Sequence, residues 1–210
     1  MSRLTDVLMA VVRSTPAYTP LLNELDGVAG DGDMGVTVAT GSRILQELLP
    51  TVEEQPDADV LRACGLALAK GAPSTIGTLV ASGFLRAAKA APELPADATP
   101  TAVLAELLAV ATAGIEERGG AAHGAKTVLD ALVPAVEVAR DAVGSDTPLP
   151  TALRQVAEAA DTGAQQTASM QAVHGRAGWL ASRSFGHEDA GARLAAIVLE
   201  AAATATEELS

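Results

Sequence analysis

Three aspartates, Asp26, Asp31 and Asp33, lie within eight positions of this 210-residue chain, in the stretch ELDGVAGDGDMGVTVATG. A single residue separates Asp31 from Asp33, so a turning backbone can direct both carboxylates to one side. Asp26 can join them if the intervening glycines fold the segment back. Three adjacent carboxylates repel one another without a cation, whereas Mg²⁺ prefers a few carboxylates together with phosphate oxygens and water. The spacing therefore indicates a magnesium site.

The glycines around these aspartates suggest what else binds there. Gly30, Gly32 and Gly35 permit positive φ angles and close backbone approach, which is how backbone amides form a phosphate cradle. A helix expected to begin at Val36 would present an N-terminus that favours anions. The stretch thus predicts a metal and a phosphate at a helix start. A solvated Asp/Gly turn that caps the helix remains the alternative, and the calcium-loop pattern is incomplete.

The elements that must position these residues are helices. Alanine, leucine and valine dominate, and only four residues are aromatic, so the core must consist of small and aliphatic side chains that favour closely packed helices over a sheet sandwich. We expect an all-α fold, with a kink or a new helix start at Pro134 and a possible break near Gly163. The helices are expected at about Leu4–Arg13, Val36–Leu49, Asp57–Ala69, Gly77–Ala91, Thr101–Glu117, Ala125–Val143, Pro150–His174 and Ala190–Glu207.

Four glycine-bearing segments interrupt the helical pattern and differ from plain turns. They are GVAGDGDMG (27–35), KGAPSTIG (70–77), RGGAAHGAKT (118–127) and RSFGHEDAG (183–191). Alternate loops of an up-and-down helical bundle gather at one end. The four segments are therefore expected to converge on one site.

Composition limits the functional classes. A formal charge of −12 argues against a nucleic-acid or anionic-membrane surface. The single cysteine excludes an intramolecular disulfide and a cysteine-rich zinc site. The N-terminal segment has the pattern of an amphipathic helix, not of a signal peptide, and no stretch approaches the ~18 apolar residues that span a bilayer. We expect one domain, residues 1–210, in a cytoplasmic protein.

Three motifs resemble one known family. LDGVAGDGDMG (25–35) resembles the L-D-x-x-x-G-D-x-D-H-G segment of the dihydroxyacetone kinase L subunit, the DAK2 domain. RGGAAHGAKTVLDALVPAVE (118–137) resembles its R-G-x-A-x-x-G-D-K-T-M-x-D-x-x-x-P segment. MQAVHGRAGWLASRSFGHEDAGA (170–192) resembles M-Q-A-x-x-G-R-A-x-Y-L-x-E-R-S-x-G-H-x-D-P-G-A. Order and spacing agree over essentially the whole chain.

The resemblance implies an eight-helix antiparallel barrel with a nucleotide site in the loops at one end. It further implies a kinase subunit that binds ADP or ATP and presents its phosphate to a ketone held on a separate K subunit. A phosphotransferase-system protein is a possible phosphoryl donor. The residues that the resemblance assigns to metal and nucleotide are Asp26, Asp31 and Asp33 for two magnesium ions; Gly35, Val36, Thr37, Ser74, Thr75 and Gly77 for the phosphates; Gly119 and Thr127 near the adenine; and Arg183, Asp189, Ala190 and Gly191 closing over the nucleotide, with Arg183 as the catalytic cation.

The chain departs from the family at a few positions. Met34 replaces a histidine, Ala125 an aspartate and Ala190 a proline, and GAPSTIGTL stands where the family has G-G-x-S-G-P-L. These changes leave open a second hypothesis, that the chain is a nucleotide-sensing regulatory paralogue without productive phosphoryl transfer. A kinase subunit for another small ketose or hydroxy acid is a third. Lys126–Thr127 lacks the spacing of a Walker motif and receives no phosphate role, while Arg176 could contact either phosphate or a carboxylate.

Overall fold

The computed structural model describes residues 3–173 and 181–210, and within these ranges all regular structure is helical. Short 3₁₀ turns follow α1, α5 and α8, at Thr15–Tyr18, Ala91–Glu93 and Thr167–Ser169. The α-helices are α1 (Arg3–Ser14), α2 (Thr19–Ala29), α3 (Met34–Val52), α4 (Asp57–Gly71), α5 (Thr75–Ala90), α6 (Pro100–Gly119), α7 (Leu129–Gly144), α8 (Leu149–Gln166), the short α9 (Ala181–Ser184) and α10 (Ala190–Glu208).

Eight of these helices, each of twelve or more residues, form a closed ring. Contacts run from α1 to α3, then in chain order through α4, α5, α6, α7 and α8 to α10, which packs back against α1. Helices joined by short loops and packed as neighbours are antiparallel. The shorter α2 packs on α1's 3₁₀ extension, α3, α9 and α10 at one end of the ring. The expected eight-helix antiparallel barrel is confirmed.

Small residues allow the helices of this barrel to approach closely. Ala131, Ala135 and Ala139 of α7 have no exposed surface, nor do Ala160 and Ala164 of α8. Aliphatic residues from α6, α7, α8 and α10 complete this largest apolar cluster. The all-α prediction from an alanine-rich, aromatic-poor composition is correct for this reason.

α7 and α8 approach each other closely at Gly163. Pro134 lies inside α7 and has no N–H to donate to the carbonyl of Asp130, four residues earlier. A Cβ placed on Gly163 would lie 2.2 Å from that carbonyl oxygen. Gly163 is therefore a contact point and not the helix break that the sequence suggested, and α7 is not divided at Pro134.

Most predicted helices agree with the structure to within two residues at each end. The sequence analysis missed α2. Pro20 lies in the first turn of this helix, and Pro16 lies in the first turn of the 3₁₀ segment before it. It began α7 four residues too early, because the segment before Leu129 is a loop. It extended α8 too far, since that helix ends at Gln166; the expected end at His174 lies outside the described residues.

Among residues 3–173 and 181–210, no helix combines the length and apolar character of a membrane-spanning segment.

Candidate functional site

The three aspartates converge at the junction of α2 and α3. Asp26 lies in the last turn of α2, and the other two follow in the loop. One carboxylate oxygen from each of Asp26, Asp31 and Asp33 lies within 4.8 Å of the others. Asp26 is partly buried and the other two are exposed. Three acidic oxygens at this separation suit a hard divalent cation such as Mg²⁺.

Backbone hydrogen bonds fold this loop around Asp26. Its Oδ2 accepts from the amides of Gly32, at 2.8 Å, and Asp33, at 3.1 Å. Gly32 has a φ of +75°, a conformation that glycine adopts without steric cost. The glycines thus fold the segment back, as the sequence analysis expected, and bring Asp26 to the other two carboxylates.

The start of α3 is fixed by α2. The amide of Gly35 donates to Oδ1 of Asn23 at 2.7 Å. A Cβ on Gly35 would lie 2.2 Å from the carbonyl oxygen of Thr19, so packing requires glycine here. Val36 is 55% exposed. Neither Gly35 nor Val36 is among the residues that line the cavity described next, whereas Thr37 lines it. The phosphate roles of these three residues remain predictions.

A cavity of about 420 Å³ opens beside the aspartates, and all four glycine-bearing segments contribute to its wall. The convergence expected from the alternation of loops is therefore present. The wall includes most of the residues singled out from the sequence: Asp26, Asp31, Asp33, Thr37, Ser74, Thr75, Gly119, Thr127, Asp189, Ala190 and Gly191.

The second segment provides an N-terminal cap. Oγ of Ser74 accepts from the amide of Gly77 at 3.0 Å, and the hydroxyl-bearing Ser74 and Thr75 face the cavity. Gly77 is buried behind them, where a Cβ would lie 2.1 Å from the carbonyl oxygen of Ala72. Two hydroxyl groups at the start of α5 can donate to an anion in the cavity.

Arg183 and the turn after it differ in their position relative to the cavity. Arg183 is exposed on α9 and is not among the cavity-lining residues, whereas Asp189, Ala190 and Gly191 line it. Asp189 caps α10 by accepting from the amide of Ala192 at 2.8 Å. Arg176, whose role the sequence left undecided, lies outside the described residues.

Burial affects the charge of Asp189. Desolvation is the main reason that the pKa of this carboxyl is raised from 3.8 to about 6, and the nearby charge of Asp130 raises it further. The cap hydrogen bond from Ala192 and the charge of Lys126 lower the pKa in part. Conversely, burial lowers the pKa of the Lys126 ammonium, while the charge of Asp189 raises it.

This shift predicts a pH-dependent difference between the protein and an Asp189→Asn variant. The folded state holds the proton of Asp189 more tightly than the unfolded chain, so its stabilising contribution is complete below about pH 4 and is lost as pH rises through about 6. The unfolding free energy of the variant, relative to the unaltered protein, should rise between pH 4 and pH 7. Denaturant unfolding at four pH values measures it; a flat or falling difference would contradict the assignment.

Four residues that the sequence analysis did not use turn out to organise the site. Asn23 holds the start of α3. Asp130 is 1% exposed and accepts from the amides of Gly124 and Thr127, each at 2.6 Å. Lys126 and Thr167 connect the remaining segments. Asp130 and Lys126 both lie within the second family motif, so the sequence offered an indication of their importance. Nothing in a single sequence indicates a role for Asn23 or Thr167.

Comparisons with known proteins identify relatives of this chain. The DAK2 domain profile matches residues 28–204. The ADP-binding subunit DhaL of PEP-dependent dihydroxyacetone kinase from Escherichia coli is 33% identical over 190 residues, 89% of this chain and 88% of that protein. A D-erythrulose kinase of Mycolicibacterium smegmatis is 36% identical over 173 residues, 81% of this chain and 30% of that protein.

A solved structure gives the same architecture. The dihydroxyacetone kinase of C. freundii in complex with AMP-PNP and Mg²⁺ superimposes with a TM-score of 0.74 at 25% identity, covering 97% of this chain. This chain spans 34% of that enzyme's length.

Proposed function

Because this chain belongs to the DAK2 domain family, we propose that it is the nucleotide-binding phosphotransfer subunit of a two-component kinase for dihydroxyacetone or a related small ketose. The observation that carries the proposal is the cluster of three carboxylates at the wall of the four-loop cavity. The relatives support it, since a protein matched along most of its length is named an ADP-binding kinase subunit.

The residues fit a metal-bound nucleotide. Asp26, Asp31 and Asp33 would hold magnesium, two ions by family resemblance, and bound magnesium supplies neutralisation of phosphate charge. The hydroxyl groups of Ser74 and Thr75 would donate to phosphate oxygens. The proposed adenine neighbours, Gly119 and Thr127, line the cavity on the α6–α7 side.

The chemistry asked of this chain is positioning. Phosphoryl transfer depends on alignment and electrostatic stabilisation more than on a protein nucleophile. Arg183 is the proposed catalytic cation. Since its side chain is exposed on α9 and not part of the cavity wall, it must approach the transferred group from the rim of the site.

The partner and the nucleotide cycle belong to the same proposal. The ketose would be held on a separate K subunit. ADP would remain bound as a coenzyme and be rephosphorylated by a phosphotransferase-system protein, as the names of the PEP- and PTS-dependent relatives suggest. Direct consumption of ATP is the other version, and the cytoplasmic location remains a prediction.

One observation favours a second function, a nucleotide-sensing paralogue. Met34, at the family histidine position, packs on an apolar cluster that contains Leu22, Ile76 and Leu194, so this position supplies no polar group to the phosphates. Nucleotide binding without transfer, in the presence of a cognate K subunit, would support that alternative.

Thermal unfolding with Mg²⁺ alone, ADP alone and both together tests the proposal. Ligand at ~100 times its dissociation constant adds about 2.7 kcal/mol to the unfolding free energy, which corresponds to a rise of several degrees in Tm for a chain of this size. We expect the full shift only when both components are present, because the carboxylates and the loops bind different parts of one complex. Absence of a shift in all three conditions would contradict nucleotide binding by the isolated chain.

A further inference from the structure

Lys126 lies in an unusual backbone conformation at the edge of the cavity. Its φ is +61°, a region that costs a non-glycine residue about 1 kcal/mol or more and persists only where surrounding contacts enforce it. The carboxylate of Asp130 provides such contacts on both sides, through the amides of Gly124 and Thr127. The backbone is thereby fixed with the lysine side chain turned inward, where the residue is 4% exposed.

The ammonium of Lys126 donates to four backbone carbonyl oxygens. These belong to Thr167 at 2.9 Å, Met170 at 3.2 Å, Ser184 at 2.6 Å and His187 at 2.6 Å. Three N–H groups serve four acceptors, so at least one hydrogen bond is shared. The group that a nucleotide-site lysine normally offers to phosphate is already engaged by the protein.

The four carbonyls come from two segments that are also bonded to each other. The amide of Gly186 donates to the carbonyl of Ala168 at 2.9 Å, and the amide of Asp189 donates to Oγ1 of Thr167 at 2.8 Å. Lys126 lies where the α6–α7 loop, the turn after α8 and the segment after α9 meet. It therefore connects the adenine side of the cavity to the wall that contains Asp189.

We propose that Lys126 is a positioning residue: its ammonium holds residues 184–191 against the α6–α7 loop and thereby sets nucleotide affinity without contacting the nucleotide. The inference rests on the proposed function, because it requires this cavity to bind Mg–ADP. A buried cation surrounded by carbonyl dipoles can hold such a wall because each charge-assisted hydrogen bond is stronger than a neutral one.

Two variants and a matched control test the proposal by calorimetric titration with Mg–ADP well below Tm. Lys126→Met retains the length of the side chain and loses the donors, and we expect Mg–ADP to bind about tenfold or more weakly, the size of loss usual for residues that orient a site from its outer shell. Lys126→Arg retains the charge and several donors. It should therefore fold even if Lys126→Met does not, and it should weaken Mg–ADP binding by a smaller factor. Lys89→Met, on the exposed face of α5, should bind like the unaltered protein.

A purely structural lysine would behave differently. Its loss would lower Tm and leave the dissociation constant of the folded variant unchanged, and that result in either Lys126 variant would overturn the proposal. Absence of Mg–ADP binding to the unaltered protein would instead count against the proposed function itself.

Chemical acetylation distinguishes positioning from direct contact with phosphate. The chain has three lysines, Lys70, Lys89 and Lys126, and the first two are exposed. Peptide mapping should show Lys126 protected both with and without Mg–ADP, since the carbonyls engage it in the ligand-free protein. Protection that requires Mg–ADP would mean that Lys126 contacts the nucleotide, and the proposal would be wrong.

Discussion

Asp33→Asn should abolish magnesium-dependent ADP binding while leaving the fold intact, and Asp31→Asn should do the same. Each change removes one of three carboxylates whose oxygens lie within 4.8 Å of one another, and we expect the dissociation constant of Mg–ADP to rise by more than about a hundredfold, the upper end of losses seen for outer-shell residues. Titration calorimetry with ADP at fixed Mg²⁺ measures the effect.

The ligand-free proteins provide a second readout. Without a cation the carboxylates repel one another, so each asparagine variant should unfold at the same temperature as the unaltered protein or slightly above it. Asp97→Asn, exposed in the connection between α5 and α6, is the matched control and should bind Mg–ADP normally. Unchanged Mg–ADP affinity in both cluster variants would refute the metal assignment.

Gly163→Ala should destabilise the barrel more than any other single methyl group added to α8. The new Cβ would lie 2.2 Å from the carbonyl oxygen of Asp130 and 3.1 Å from the Cα of Ala131, so α7 and α8 must separate. Overpacking of this kind costs about 3 kcal/mol, and the better helix propensity of alanine returns at most about 1 kcal/mol. The net loss of about 2 kcal/mol should lower Tm by roughly 4–8 °C.

Gly144→Ala isolates the propensity effect. Gly144 is exposed at the end of α7, and a Cβ there would meet no atom within 4 Å. This variant should be as stable as the unaltered protein or more so. Equal melting temperatures for the two alanine variants would show that α7 and α8 tolerate the added methyl group and that their close approach is not a constraint.

Helical periodicity was sufficient to predict an all-α fold and most of the long helices, whereas the eight-helix barrel was expected from the family resemblance. The helical state of the α2 segment was harder to predict from the sequence. Pro16 and Pro20 occupy the first turns of the preceding 3₁₀ segment and of α2, where proline is compatible with a helix, but in a sequence they equally suggest a loop. The new helix start considered at Pro134 is absent, since α7 continues through this residue, and the Asp130 carbonyl that Pro134 leaves without a donor lies close to Gly163.

The location of the site followed from the alternation of loops, and the aspartate cluster followed from residue type and spacing. What a single sequence could not indicate is which residues hold the loops together. Lys126 bonds to carbonyl oxygens 41 to 61 positions away, and backbone carbonyls have no identity in a sequence. Similarly, Gly35 was expected at a phosphate, but packing of α2 on α3 already demands a glycine there.

The closure of the ring by α10 against α1 has a consequence for the order of events during synthesis. Contacts from α3 to α8 join neighbours in sequence and can form as each helical hairpin leaves the ribosome, since such local contacts form early. The cavity, by contrast, combines residues from the α2–α3 junction with residues 184–191. The proposed affinity for a nucleotide would therefore arise only when α10 has been made and the ring closes, so a nascent chain or a chain truncated before residue 184 should be largely helical but unable to retain ADP.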